Sequence, residues 1–476
     1  MSWTHICFPI VFWSLACNPA LGVEGTSANP ANGLAVENQA GQILVQIDAA
    51  GNRTDCLAPA SAGLPAPPAP MTNPPRTVPD VSGSSGAGPG TLSGNWPTYG
   101  NGPSHSGYFP GYLSANTFSQ KWVKTVTGTL NQVAVGGGKI FITPYQYFGT
   151  AFLTALDEET GDLSWRYDFA KCYSINPPTY DGGRVYVQRG DHGTDTHLWC
   201  FDANTGSNAW RTAHAAQWER YMAPTIAAGK IWIDGGYYGG MYGINQTTGT
   251  ALFFLSSLEQ YDGWTPMYCN GALYSWVAGH FRQHNPTNGA VLWDLNLGWS
   301  WSGWSMGRTI AAAGQFAACI GNSSEIYGID LGNKQLAWRT SGAYSGTPAV
   351  ANGVVYAFRG TAVAALSAAS GALLGTFEAN TSLSGALIVT DDVLITGSGS
   401  QTFVFDLQTF ALRQTIPHGG WLSLANDVLY IAQSNGDLYA YKTVSQTTQL
   451  TVGSNAGLHG SPEPFPYGRH DVQIGS

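Results

Sequence analysis

From residue 95 to about residue 443, apolar positions fall into short alternating runs separated by glycine-rich turns, and the runs recur. One unit opens with an inner segment of small residues or proline, then a turn and an alternating strand, as in TIAAGKIWIDGG (225–236) and AVANGVVYAFRG (349–360). A second half follows: a strand, a Thr-Gly or similar turn, and a short strand carrying tryptophan. LTALDEETGDLSW (153–165), LWCFDANTGSNAW (198–210) and IYGIDLGNKQLAW (326–338) are the clearest copies. Period-two alternation over so few residues predicts strands rather than helices. Asp and Thr-Gly suit the turn, where Asp caps free amides and Gly takes the left-handed conformation. The tryptophan is expected to pack between neighbouring sheets, where its large area is most effective.

The outer-strand side chains are Trp122, Trp165, Trp210, Phe253, Trp293, Trp338, Phe377 and Leu412, at successive gaps of 43, 45, 43, 40, 45, 39 and 35 residues. Eight inner segments begin near Val133, Pro178, Pro224, Pro266, Arg308, Pro348, Ala386 and Trp421. Four short strands at this spacing make one propeller blade. The ends supply the closure: KWVKTV (121–126) is an outer strand without inner strands before it, and residues 421–443 are three inner strands without an outer strand after them. Pairing the two fastens the ring and removes its open edges. The expected fold is all-β, an eight-bladed propeller of four-stranded antiparallel blades.

Residues 6–16 are apolar, too short a run to span a bilayer but suited to a signal-peptide core, so residues 1–22 are expected to direct export and be removed. The competing expectation is lipid attachment at Cys17, which follows Leu15 and Ala16. Residues 23–94 read as a polar segment, with one possible strand over 41–48, followed by a Pro/Gly/Ser-rich linker that cannot bury enough apolar surface to order itself. The propeller occupies 95–445, and 446–476 form a C-terminal tail. Carboxylates outnumber Lys and Arg by 29 to 20, and the bases are not clustered, which argues against a nucleic-acid partner. No transmembrane segment is expected after signal removal, and a monomer is expected. The cysteines include no C-x-x-C pair, so zinc-knuckle and haem-attachment motifs are missing; Cys172, Cys200, Cys269 and Cys319, inside the repeats, either pair or serve as small buried hydrophobes.

The pattern in TALDEETGDLSW and CFDANTGSNAW resembles the repeat of the pyrroloquinoline-quinone-like propeller superfamily, and NWPTYGNGPSHSGYFPG (95–111) resembles the stretch that opens many of its members. The resemblance spans residues 95–443 and implies the propeller fold. It offers two branches of function. Quinoprotein dehydrogenases hold pyrroloquinoline quinone and calcium, typically against a vicinal disulfide, and no two cysteines here are adjacent. The propeller lipoprotein of the outer-membrane β-barrel assembly machinery has similar size, eight blades and no cofactor.

Loops entering the inner strands are expected to form one mouth of the channel. They carry Tyr173, Trp218, Arg220, Tyr221, Asp262, Trp264, Trp304, Arg308, Tyr344, His418 and Trp421, with Glu219 beside them. Aromatic platforms suit sugar rings, and Arg among them suits a carboxylate; the same residues anchor protein interfaces. The alternative for each tryptophan is packing between blades. His280 and His284 have i, i+4 spacing but are expected at a solvated hairpin tip rather than on a metal, and the Asp/Gly string at 191–197 is expected to be a turn rather than a calcium site. The leading expectation is therefore a non-catalytic binding propeller without cofactor or metal, engaging a protein or glycan. An oxidoreductase using pyrroloquinoline quinone with calcium is the alternative, and a polysaccharide lyase using a His, Tyr and Arg set is the second.

Overall fold

The computed structural model describes strands at 26–29, 33–37, 43–47 and 53–55, and residues 92–444 apart from 115, 146–147, 192–195, 217–221, 262, 299–308 and 322–323. The chain divides into two compact units, 1–83 and 84–476. In the first, the four strands form one antiparallel sheet in chain order, and the third covers the apolar run at 43–47.

The second unit is the eight-bladed propeller. Blade 1 runs from Ala134 to Cys172, blade 2 from Ser174 to Ala213, blade 3 from Thr225 to Leu255 and blade 4 from Met267 to Asn296. Blade 5 spans Ala311–Thr340, blade 6 Tyr344–Glu378 and blade 7 Ser384–Ile416. Blade 8 combines Trp421–Val444 with the strand Thr117–Thr125. That strand pairs antiparallel with Asp437–Val444, from Asp437 opposite Thr125 to Val444 opposite Thr117. Ring closure is therefore as the register of the repeats predicts. No helix occurs among the described residues.

Within each blade the strands are called A to D from channel to rim. A strands such as Ala134–Gly136 are wholly buried, whereas D strands such as Asn208–Ala213 alternate exposed and half-buried positions. Antiparallel order puts the A–B and C–D turns on one face of the ring, the turn face. The B–C and D–A loops lie on the other, the loop face.

The repeat's chemistry is local and regular. In blade 1, Asp157 Oδ1 accepts from the amides of Glu159 (3.0 Å) and Thr160 (2.9 Å) and from the Thr160 hydroxyl (3.1 Å). Asp202 does the same in blade 2, and these hydrogen bonds hold both carboxyls below their ordinary values. The D-strand tryptophan docks on the C–D turn of the next blade: Trp165 Nε1 donates to the Ala203 carbonyl at 2.9 Å, with its ring over Gly206. Gly206 has φ +71°, and a Cβ there would lie 2.6 Å from the Trp165 ring, so the turn needs glycine for backbone and for space. Trp338 meets Ala368 (2.8 Å) and Gly371 in the same way.

Candidate functional site

A segment ahead of the first strand decides what the channel can do. Residues 92–113 form an arm whose amides and carbonyls reach the inner ends of the blades. Trp96 exchanges two backbone hydrogen bonds with Val135 of blade 1, at 3.1 and 2.7 Å. The amides of Tyr180, Tyr268, Ala312, Val350 and Val389 donate to Pro97, Pro103, Ser104, Ser106 and Gly107 at 2.7–3.0 Å. These amides lie on A strands, whose channel-side edges lack a neighbouring strand. The arm supplies the acceptors a free edge would otherwise lack.

Blade 8 is reached through Asn426, whose amide donates to Gly94 (3.0 Å), and blade 3 through His105. All eight blades are thus bonded to one 22-residue segment. It begins beside the A–B turn of blade 8 and ends beside that of blade 7, where Asp392 accepts from the Leu113 and Ser114 amides, each at 2.8 Å. The arm therefore covers the turn-face end of the channel.

His105 is the hub of the arm and is fully buried. Its Nδ1 lies 2.8 Å from the Tyr99 carbonyl. Nε2 lies 3.1 Å from both the Thr225 hydroxyl and the Pro266 carbonyl. Burial holds the imidazole below its ordinary value. Tyr99, Thr98 and Trp96 are buried beside it; Tyr99 Oη meets Thr347 Oγ1 and Thr98 Oγ1 meets Thr179 Oγ1, both at 2.7 Å. The Trp, Tyr and His of this stretch, which resembles the family's opening segment, are what fix the arm in place.

Five of the residues expected at the mouth are described, in two different situations. Trp264 is 1% exposed and packs with Trp232, Met241, Leu258 and Leu273, and Tyr344 is 2% exposed in the core shared by blades 5 and 6. Rings so enclosed offer no face to a ligand. Packing between blades, the alternative weighed for each tryptophan, describes the placement of Trp264, and Tyr344 is enclosed at the start of its A strand. Tyr173, His418 and Trp421 are half-buried. Tyr173 meets Phe148 edge-on at 4.8 Å; His418 stacks on Tyr439 at 3.8 Å, with Nδ1 2.6 Å from Tyr441 Oη; Trp421 sets its edge against Tyr99 of the arm at 6.1 Å. Trp218, Arg220, Tyr221, Asp262, Trp304 and Arg308, with Glu219, lie outside the described residues.

Among the described residues, the most exposed rings of the loop face come from B–C loops, which sequence reasoning passed over. Tyr145 and Phe148 in blade 1 are 43% and 67% exposed, and Tyr237 and Tyr238 in blade 3 are 47% and 78% exposed. The signal was present as a tyrosine doublet between glycine pairs, GGYYGG (235–240).

The residues set aside as metal ligands have other roles. GHFRQH is not a hairpin tip: His280–His284 is the C strand of blade 4. His284 is buried with Nε2 2.9 Å from Ser275 Oγ, and burial lowers its pKa to about 4. His280 Nδ1 lies 2.7 Å from Asp294 Oδ1. Asp191 and His197 flank the blade 2 B–C loop, of which 192–195 are outside the described residues. Cys172, Cys200, Cys269 and Cys319 are buried in blades 1, 2, 4 and 5. Burial pushes the Cys200 thiol up to about 11 and raises Cys319 further.

Among the described residues no three His, Cys, Asp or Glu side chains converge as metal ligands, and no vicinal cysteine pair exists on which a quinone could lie. No helix among these residues is long and apolar enough to cross a membrane.

A family model described as outer membrane protein assembly factor BamB matches residues 113–255 and 278–409, more than half of the chain. Among solved structures, BamB from Moraxella catarrhalis is similar with TM-score 0.56 and 14% identity, over 68% of this chain and 100% of that one. A europium-containing methanol dehydrogenase is similar with TM-score 0.60 and 11% identity, over 73% and 98%. A quinohemoprotein alcohol dehydrogenase, ADHIIG of Pseudomonas putida HK5, follows with TM-score 0.57 and 15% identity, over 79% and 82%. At these identities the structural likenesses establish the fold alone. No curated protein matches the sequence.

Proposed function

We propose a function from one premise: the chain belongs to the family described as outer membrane protein assembly factor BamB. On this reading it is a non-catalytic scaffold of the cell envelope, exported by residues 1–22, that holds a protein partner on its loop face. The observation that carries the proposal is the division of labour between the two faces. The arm binds the inner ends of all eight blades from the turn-face side, so an incoming molecule has the opposite face available. That face displays Tyr145 and Phe148 of blade 1 in the solvent-exposed positions that anchoring aromatics occupy before a partner arrives. An aromatic ring held out by a clamped loop loses little conformational freedom on binding, which favours association.

The test is in vivo photo-crosslinking with a photoreactive amino acid at position 148, and a control at Leu163, which is 63% exposed on the outer wall. Discrete protein adducts from 148 but not from 163 are the expected result. Equal or no adducts would remove the scaffold reading. The oxidoreductase alternative is tested on the same protein by adding pyrroloquinoline quinone and calcium and following alcohol-dependent dye reduction. Turnover with stoichiometric cofactor uptake would replace the scaffold with an enzyme.

A further inference from the structure

The B–C loop of blade 3 is built with unusual constraint for a surface loop. On one side the Gly236 amide donates to the Ala215 carbonyl at 2.7 Å. On the other, Gly239 has φ +94°, and a Cβ there would overlap the backbone of Leu258 and Glu259. The loop is thus wedged between the D–A loops before and after its own blade, and only glycine fits against the second. What this rigid base displays is Tyr237 and Tyr238, the latter 78% exposed.

Beside it, at the loop-face end of blade 4, four ionisable groups are linked in series. Glu259 takes Arg282 in a two-pronged pair, both contacts 3.0 Å. Arg282 Nε lies 3.4 Å from Asp294 Oδ2, and Asp294 Oδ1 lies 2.7 Å from His280 Nδ1. The arrangement is asymmetric: the Arg282 side chain is 9% exposed, whereas Glu259 and Asp294 are 37% and 39% exposed.

We infer that Tyr237 and Tyr238, with the neighbouring Glu259–Arg282–Asp294–His280 cluster, form a binding site for an uncharged oligosaccharide. Three features of the chemistry select this ligand. Exposed tyrosine faces stack on the apolar C–H faces of pyranose rings, and a rigid base keeps the cost of ordering them low. Carboxylates pinned in orientation by a guanidinium retain outward lone pairs, which accept from adjacent sugar hydroxyls. Two carboxylates stand against one guanidinium, on a chain of net charge −9, so an anionic polymer is repelled. The buried, already paired Arg282 also speaks against a protein partner at this spot, because an interface arginine anchors by reaching into its partner. The inference rests on the loop face being a binding surface, yet it involves blades 3 and 4, whereas the crosslinking position above is in blade 1.

The experiment is isothermal titration of the full chain with cellohexaose, maltohexaose, chitohexaose and a hexagalacturonate. At least one of the three neutral hexasaccharides is expected to bind saturably, and the anionic one is not. Tyr238→Ala is expected to lower the affinity about tenfold or more, the scale of one well-placed aromatic contact, while Tyr238→Phe keeps it, since stacking needs the ring and not the hydroxyl. Leu163→Ser, on the outer wall, leaves binding unchanged. Position 238 is so exposed that neither change threatens the fold. Absence of saturable binding to all three neutral sugars, preference for the uronate, or undiminished affinity in Tyr238→Ala would each overturn the assignment. Protein adducts from position 148 with no sugar binding would overturn it and leave the scaffold reading standing.

Discussion

Substituting Gly206 by alanine tests whether blades are held together by docking of a tryptophan on the next blade's turn. The added methyl has two separable effects. Alanine at φ +71° costs about 1 kcal/mol in backbone conformation. Its Cβ would also sit 2.6 Å from the Trp165 ring, roughly 1 Å inside normal carbon contact. The ring must therefore move, which costs about 1–3 kcal/mol in misfit packing. A displaced indole loses its 2.9 Å hydrogen bond to the Ala203 carbonyl, worth about 1 kcal/mol more. The total expected is about 3–5 kcal/mol. Gly229 provides the control, because it too has φ +71° but nothing lies within 4 Å of its would-be Cβ. Gly229→Ala should cost only the conformational share, about 1 kcal/mol. Urea unfolding followed by tryptophan fluorescence gives both values. If Gly206→Ala is no more damaging than Gly229→Ala, docking between blades does not stabilise this ring and the energetic reading of the repeat motif is wrong.

Removing the hub of the arm by His105→Ala deletes hydrogen bonds to Tyr99 and Thr225 and leaves a buried cavity, so a loss of about 3 kcal/mol and faster proteolysis within residues 92–113 are expected; an unchanged melting temperature would show that the arm is not clamped there. Acid should weaken the fold before the carboxylates titrate. His214 and His284 are each lowered to about 4 by burial, so above about pH 6.5 they are neutral in both states and their contribution is complete. As pH falls from there, the unfolded chain takes up protons that the folded chain refuses, and each histidine removes about 3 kcal/mol by pH 4. A urea midpoint that stays flat from pH 7 to about 4.5 would contradict this. The turn aspartates act lower: Asp406, held at about 2 chiefly by Arg413, loses its contribution only as pH falls through the range below its ordinary value. Finally, Cys172, Cys200, Cys269 and Cys319 should resist maleimide in the native protein and react on denaturation, read by mass spectrometry; rapid native labelling would refute their burial.

Two kinds of information separate here. In the turn Asp157-Glu158-Glu159-Thr160-Gly161 the amides of Glu159, Thr160 and Gly161 all donate to Asp157, so its residue types announce its shape from local bonds. The closing strand at 117–125 was legible for a related reason: a repeat cut out of phase leaves one orphan strand at each end, and the two orphans complete each other. Site residues followed no such rule. Trp264 and Tyr344 occupy the same kind of loop as Trp421, yet two are core and one is half-exposed, because exposure depends on what neighbouring blades bring against each ring. Tyr237 and Tyr238 went unremarked since their prominence comes from clamping by Ala215 and Glu259, one of them in the blade's following loop.

By itself, then, the sequence determined the strands, their turns, the number of blades and the closure of the ring, because all of these are set by residues close in the chain or by a repeated period. Only the tertiary structure decided that the arm at 92–113 binds the inner end of every blade, and which aromatic rings remain at the surface. Those outcomes depend on contacts between residues far apart in the chain, such as Gly94 with Asn426, 332 positions away, and no local pattern encodes them.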